Sequence, residues 1–281
     1  IFALVYPIPV VLLVVRRGVR SGILATVIAV LGTSAFVGPL QGLTVFTKVG
    51  IVGLALGTSL QKRLPPIRTI IITAAATAVS FAIILGVSMV FFDFHPSEFV
   101  IAIEKGVGRA LDLYKRMGIS EKELGLIEAN MRQLLKVLRV SLPAIALLAL
   151  VTVASVNYFV TRLVLQRLGY KVDEIPRFSL WRVPWYWGWG YILGGALLFG
   201  GQVYSQKLLA DIGINVFTVF SYVFLVHGLA TAWFFLEKYR VASVLRYLIA
   251  FFAVMNQFLS QVLIWTGLFD AWLDLRKIQA R

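Results

Sequence analysis

Apolar residues in this chain gather in runs of roughly 15 to 24, close to the ~20 residues that carry a helix across a hydrocarbon core of about 30 Å. Eight such segments are predicted, at about residues 1–15, 21–38, 43–60, 69–91, 140–161, 188–204, 213–236 and 247–268. A membrane β-barrel would instead show alternating segments of about ten residues, and the chain has none. The expected fold is all-α: a polytopic transmembrane helical bundle with eight visible spans, interrupted at 92–139 and 162–187. This divides the chain into a four-span bundle over 1–91, an inserted segment over 92–139 and a second four-span bundle over 140–281. Ile1 opens inside an apolar run with no initiator Met, so a further N-terminal piece is expected ahead of it.

The insert reads as an amphipathic helical hairpin. Ser97, after Pro96, can cap a first helix whose Val100, Ile103, Val107, Leu111 and Tyr114 recur every three or four residues, with Gly118 as its stop. The sequence "SEKE" then offers a capping box, in which the Ser120 hydroxyl and Glu123 carboxylate satisfy free amides at the start of the second helix. Its apolar stripe is Leu124, Ile127, Met131, Leu135 and Leu138. Such a hairpin can pack on the bundle, lie along the outer leaflet or receive a partner.

Charge gives these segments an orientation. Basic residues follow every second span: Arg16, Arg17 and Arg20; Lys62, Arg63 and Arg68; Arg162, Arg167, Lys171, Arg177 and Arg182; Lys238, Arg240 and Arg246. The intervening "PLQG" at 39–42 is uncharged, 205–212 balances Lys207 against Asp211, and 92–139 carries eight Lys/Arg against seven Asp/Glu. Cytoplasmic loops are the ones enriched in Lys and Arg, so the hairpin is expected to be extracytoplasmic. With eight spans, the tail bearing Arg276, Lys277 and Arg281 falls outside as well, softened by Asp270 and Asp274.

Composition agrees: 59% hydrophobic and 14% charged residues, with a mean hydropathy of +0.87, place the chain among integral membrane proteins. The net charge of +14 sits in short loops between apolar runs, which excludes the continuous basic face of a nucleic-acid binder. With no Cys, disulfides and thiolate chemistry are excluded. His95 and His227 are the only histidines, and no HExxH, GxSxG or Walker A pattern is present, so no metal, cofactor or enzymatic activity is expected.

The stretch "WRVPWYWGWG" concentrates four of the seven Trp in ten positions. Trp181, Arg182, Trp185, Tyr186, Trp187 and Trp189 are read as a membrane-interface belt at the entry to the sixth span, with Arg182 reaching lipid phosphate. A ligand cage would need rings that converge, whereas these fan around a forming helix.

Polar groups at membrane depth are the candidate functional residues. Lys48 is the one charge near the outer half of a span, and it either snorkels outward or faces a wet interior where it suits an anionic solute. Gly50, Gly53 and Gly57 continue from it as a smooth face for a neighbouring helix, which the run Ala74, Ala75, Ala76 and Ala78 can supply. Asn256, Gln257 and Gln261 share one helical face and are the strongest candidates for a polar lining. Asn157, Gln202, Asn215 and His227 are expected to bond between helices. No Asp or Glu lies well inside a predicted span, so His227 has no acid at its depth to relay a proton with.

Several pieces in order carry a resemblance: "YPIPVVLLVVRRGVRSGILA" at 6–25, "LPAIALLALVTVASVNYFVTRLVLQRLGY" at 142–170, "FSLWRVPWYW" at 178–187 and "GLFDAWLDLRK" at 267–277. Together they resemble the YybS-like family of bacterial membrane proteins, a family with no established activity. The front half, with Pro-containing first helices and Gly-rich short spans, is remotely similar to the substrate-binding (S) subunits of energy-coupling-factor transporters. That resemblance implies a small solute taken up from outside and a cytoplasmic energising module as partner. The reading is a non-enzymatic, multi-pass protein of the bacterial cytoplasmic membrane that binds lipids and a small solute near Lys48 and the late polar face. Its rival is an assembly protein that docks a membrane-protein partner through the hairpin or the basic loops.

Overall fold

The computed structural model describes residues 6–93, 96–170, 172 and 175–277, so His95, Lys171 and Arg281 lie outside the described residues. Eleven α-helices and no strand occur among them: α1 Ile8–Arg17, α2 Val19–Phe36, α3 Pro39–Val45, α4 Val52–Gln61, α5 Pro66–Phe92, α6 Pro96–Arg116, α7 Glu121–Arg167, α8 Gly188–Val203, α9 Lys207–Lys238, α10 Ser243–Met255 and α11 Gln257–Leu273. A π-helical turn, Phe46–Ile51, joins α3 to α4 into one 23-residue helix, Pro39–Gln61. The molecule is an all-α membrane protein. Large apolar side chains such as Ile28 and Phe36 are 70% and 92% exposed, which water would penalise and lipid tails would not.

Five described helices are long and apolar enough to cross a bilayer: Val19–Phe36, Pro39–Gln61, Pro66–Phe92, Glu121–Arg167 and Lys207–Lys238. The pair α10 and α11 passes only jointly, and it is bent by 102°. The other three of the eight predicted segments fall short for separate reasons. Ten residues form α1, because Gly18 at φ +90° stops it after Arg17. Sixteen form α8, about 24 Å of helix. The last segment breaks at Asn256, whose extended backbone ends α10 and whose Oδ1 accepts from Leu259 N at 3.0 Å to cap α11.

The hairpin's helices form as the spacing predicts. Gly118 (φ +80°) closes α6, with Ile119 N bonded to Tyr114 O at 3.3 Å, and the Ser120/Glu123 capping box opens α7. Pro96 begins α6, so Ser97 lies inside the helix instead of capping it. The predicted stripes hold the less exposed positions, Ile103, Val107, Leu111, Leu124, Ile127, Leu135 and Leu138, except that Tyr114 and Met131 are exposed. No turn separates the second hairpin helix from the fifth predicted span: α7 runs unbroken for 47 residues.

The chain folds as two compact units, Ile1–Leu135 with Ala149–Glu174, and Lys136–Leu148 with Ile175–Arg281. In the first, Gly53 and Gly57 let α4 close on Val10 and Val14 of α1, while Gly50 meets Thr26 of α2. The smooth face therefore serves α1 and α2 and not the alanines of α5. Helix α5 packs on another face of α4 and on the π turn, where Ser80 Oγ stands 2.8 Å from Thr47 O.

In the second unit α8 lies antiparallel to the first half of α9, with Gly194 against Phe217 and Gly201 against Ala210. Tyr191, Phe224, Ile264 and Leu268 form the buried cluster that joins α8, α9 and α11. Gly228 and Gly267 bring α9 and α11 into backbone contact, since a Cβ on either would land on a carbonyl oxygen of the other helix, Leu263 O or Phe224 O. Asn215 of α9 grips α7 beside Pro143: its Nδ2 donates to Val140 O at 2.8 Å and its Oδ1 accepts from Ala144 N at 3.0 Å. Those two backbone groups belong to the helical rung next to the proline, where a side chain can insert at little cost.

Candidate functional site

Residues 177–187, between α7 and α8, form an irregular segment with only two short 3-10 turns, Phe178–Leu180 and Trp185–Trp187. It follows α9 from Trp233, against which Phe178 packs edge-on at 6.1 Å, to Phe220, which meets Trp187 at 6.0 Å. Thirteen helical positions separate those contacts, about 20 Å of rise, so this backbone runs deep along an apolar helix. Non-helical backbone at such depth has to be satisfied by protein groups. The donors come from the end of the chain.

Arg276, 5% exposed, donates through Nη1 to Ser179 O at 2.6 Å and through Nη2 to Trp181 O at 2.8 Å. Asp270, fully enclosed, balances its charge, with Oδ2 accepting from Nε at 3.0 Å and from Nη2 at 2.8 Å. Trp272 Nε1 donates to Trp185 O at 3.0 Å, and Arg182 pairs with Asp274 at 3.0 Å. Polar or indole-bearing residues at 270, 272, 274 and 276 thus stitch the two segments together. His227 completes the cluster from α9. Its Nδ1 lies 2.9 Å from Gly267 O, an acceptor, so Nδ1 carries a proton, and Nε2 faces Arg276 Nη2 at 3.0 Å and Asp270 Oδ2 at 3.2 Å.

This arrangement corrects three expectations. His227 does have an acid at its depth: α11 runs to Leu273, beyond the predicted end at 268, and carries Asp270 inward. Arg182 meets Asp274 of its own chain where lipid phosphate was expected. Arg276 is bonded to the basic segment 177–182, from which the eight-span expectation set the tail apart. Every guanidinium nitrogen of Arg276 is engaged with protein, so its chemistry is that of a fastening. Trp185, Tyr186 and Trp189 are 57–60% exposed and Trp187 39%, and their rings fan outward.

The predicted solute residues fall in different units. Lys48 sits in the π turn of the first unit with its side chain exposed, while its neighbours Thr47 and Gly50 are buried. Because the helix starts at Pro39, Lys48 is nine residues in, about 14 Å, and helical side chains tilt back toward that end, the direction for snorkelling. Asn256, Gln257 and Gln261 are all exposed in the second unit, and Asn256 is occupied as a helix cap.

The first unit holds a different opening, a cavity of about 340 Å³ at the end where α4 stops. Its wall includes Val15 of α1, Gln61 and Arg63 from the α4 terminus, Tyr158 and Leu165 of α7, and Tyr170 just beyond. Asn157 and Thr161, 4% and 1% exposed, lie on that same buried face of α7, one turn apart and flanked by Tyr158 and Leu165. Among the described residues, neither Asn157 Oδ1 nor Thr161 Oγ1 has a hydrogen-bond partner. Buried acceptors are nearly always paired, so two on one face beside a cavity mark a place that expects polar company. The sequence holds Asn157 in plain view, but only the fold sets Gln61 and Tyr170 beside its helix.

A helical membrane protein with one stitched unit and one unit containing a polar-walled cavity is the class these features define. The chain belongs to the DUF2232 family of predicted membrane proteins, whose model matches residues 1–271. No curated protein and no solved structure matches it to a significant degree.

Proposed function

We propose that this is a non-enzymatic, multi-pass protein of the bacterial cytoplasmic membrane whose first unit binds a small solute, in the manner of a transporter's substrate-binding subunit. The observation that carries the reading is the cavity beside α7 with the unpartnered Asn157 Oδ1 and Thr161 Oγ1 on the same helix face. A volume near 340 Å³ falls within the range of small-molecule sites, about 300–1,000 Å³. The proposed site thus lies at the basic end of the unit and not near Lys48. By the charge rule that end faces the cytoplasm, so the described state is open inward.

Thermal denaturation of the purified protein against vitamins, amino acids and nucleosides tests this. A ligand at a hundred times its dissociation constant stabilises the fold by about 2.7 kcal/mol. At least one compound is expected to raise the melting temperature of the wild type and not of Asn157→Leu. If no compound does so, the reading fails.

A second reading, partner docking through the hairpin, draws on the exposure of Leu113, Met117, Leu126 and Leu134, which lie off the predicted stripes. Deleting residues 97–138 should then release a protein that co-purifies with the full chain. Retention of every such protein would remove the hairpin from consideration.

A further inference from the structure

The cavity's wall specifies the kind of molecule it takes. Apolar surface comes from Val15, Leu60, Leu64 and Leu165, and the single formal charge among the described residues from Arg63. Among the described residues, the side chains of Arg63, Gln61 and Tyr170 have no hydrogen-bond or ion-pair partner in the protein, so their donors are unspent. A guanidinium presents a planar fork suited to carboxylate or phosphate oxygens, and an amide and a phenol beside it add neutral donors.

The surroundings reinforce the sign. Arg16, Arg17, Arg20, Lys62 and Arg68 are exposed around the same end of the unit, and none of them is ion-paired among the described residues. The acids of this unit's described residues lie between Asp93 and Glu128, in and around the hairpin. Asp173 and Glu174, the acids nearest the cavity in sequence, lie outside the described residues. Among the described residues the concave wall thus lies under one sign of charge, which concentrates counter-ions at its mouth.

We infer that the cavity binds an amphipathic anion, a phosphate or carboxylate on an apolar body, with the anionic head on Arg63 and the body along Val15, Leu60 and Leu165. The inference rests on the solute-binding reading and names its ligand class. A lipid headgroup and a free amphiphile share this chemistry.

Hexyl phosphate, hexanoate and hexanol, titrated calorimetrically into the full chain in a neutral detergent, test it. Both anions are expected to bind the wild type roughly tenfold or more tighter than they bind Arg63→Gln, the loss of a charged hydrogen bond. Arg63 is exposed at the end of a helix, so the variant should fold, and Arg240→Gln in the other unit should bind like the wild type. Stabilisation by phosphatidylglycerol over phosphatidylcholine in nanodiscs, abolished in Arg63→Gln, would identify a lipid as the source. Stabilisation by hexyl phosphate alone would identify a free amphiphile. If hexanol binds as tightly as the anions, or Arg63→Gln binds them undiminished, the anion inference is wrong. A neutral panel compound that binds with no dependence on Arg63 would overturn it while leaving the cavity reading intact, whereas a lack of binding by every compound would sink both.

Discussion

Asp270 and Arg276 each sit where an isolated charge could not remain, and each makes the other tolerable. Removing one partner of a buried pair costs about 3–5 kcal/mol, because the survivor keeps its desolvation penalty. Asp270→Ala and Arg276→Leu should each lower denaturation stability by that order. The double variant should cost clearly less than the two losses added, since it buries no lone charge. Additive losses would mean that the ion pair is not the unit of the clamp. His227 Nε2 lies 3.0 Å from Arg276 Nη2 and 3.2 Å from Asp270 Oδ2, so His227→Phe should destabilise through the same cluster and cost less when Arg276 is already Leu.

At the scale of elements, close helix approach is what the glycines secure. Gly228 opposes backbone, the Leu263 carbonyl, whereas a Cβ on Gly195 of α8 would meet only the Phe217 ring at 3.7 Å. Gly228→Val should therefore disrupt the α9 and α11 contact, and Gly195→Val should be far milder, with melting temperature as the readout. Elements were also what the sequence revealed best. The long apolar runs became helices, and the capping box at Ser120 and stop at Gly118 fell where spacing placed them. What periodicity could not show was continuation and interruption. Nothing polar separates Leu138 from the following apolar run strongly enough to end a helix, so α7 simply continues. Asn256, read as a lining residue, instead ended one helix and capped the next.

The site was less legible for a related reason. Asn157 and Thr161 advertise polarity within an apolar run, but their lack of partners among the described residues, and the cavity that their neighbours Tyr158 and Leu165 share with Gln61 and Tyr170, depend on the fold. The spacing of Asp270, Trp272, Asp274 and Arg276 in "GLFDAWLDLRK" acquires its meaning only with the 177–187 segment lying opposite. A useful signal would have been that the two richest polar-aromatic motifs both sit next to predicted spans, each with complementary charges.

Across the whole molecule, the 102° bend at Asn256 is that of a broken span or of a re-entrant loop, and the bonds from Arg276 back to Ser179 and Trp181 favour the loop. The absence of Cys gives single-cysteine labelling a clean background. Arg240→Cys and Lys277→Cys should be modified by a membrane-impermeant maleimide from the same side of the bilayer, whereas a full crossing would put them on opposite sides. In the first unit, Lys62→Cys and Met117→Cys should react from opposite sides, as expected for a basic end and a hairpin end.

The most direct test of the account is protection at the cavity itself. Gln61→Cys should react with maleimide in the free protein and be slowed severalfold by whichever panel compound stabilises the wild type most, while Lys277→Cys reacts at an unchanged rate. Equal slowing of both positions, or of neither, would contradict a solute site between the α4 terminus and α7.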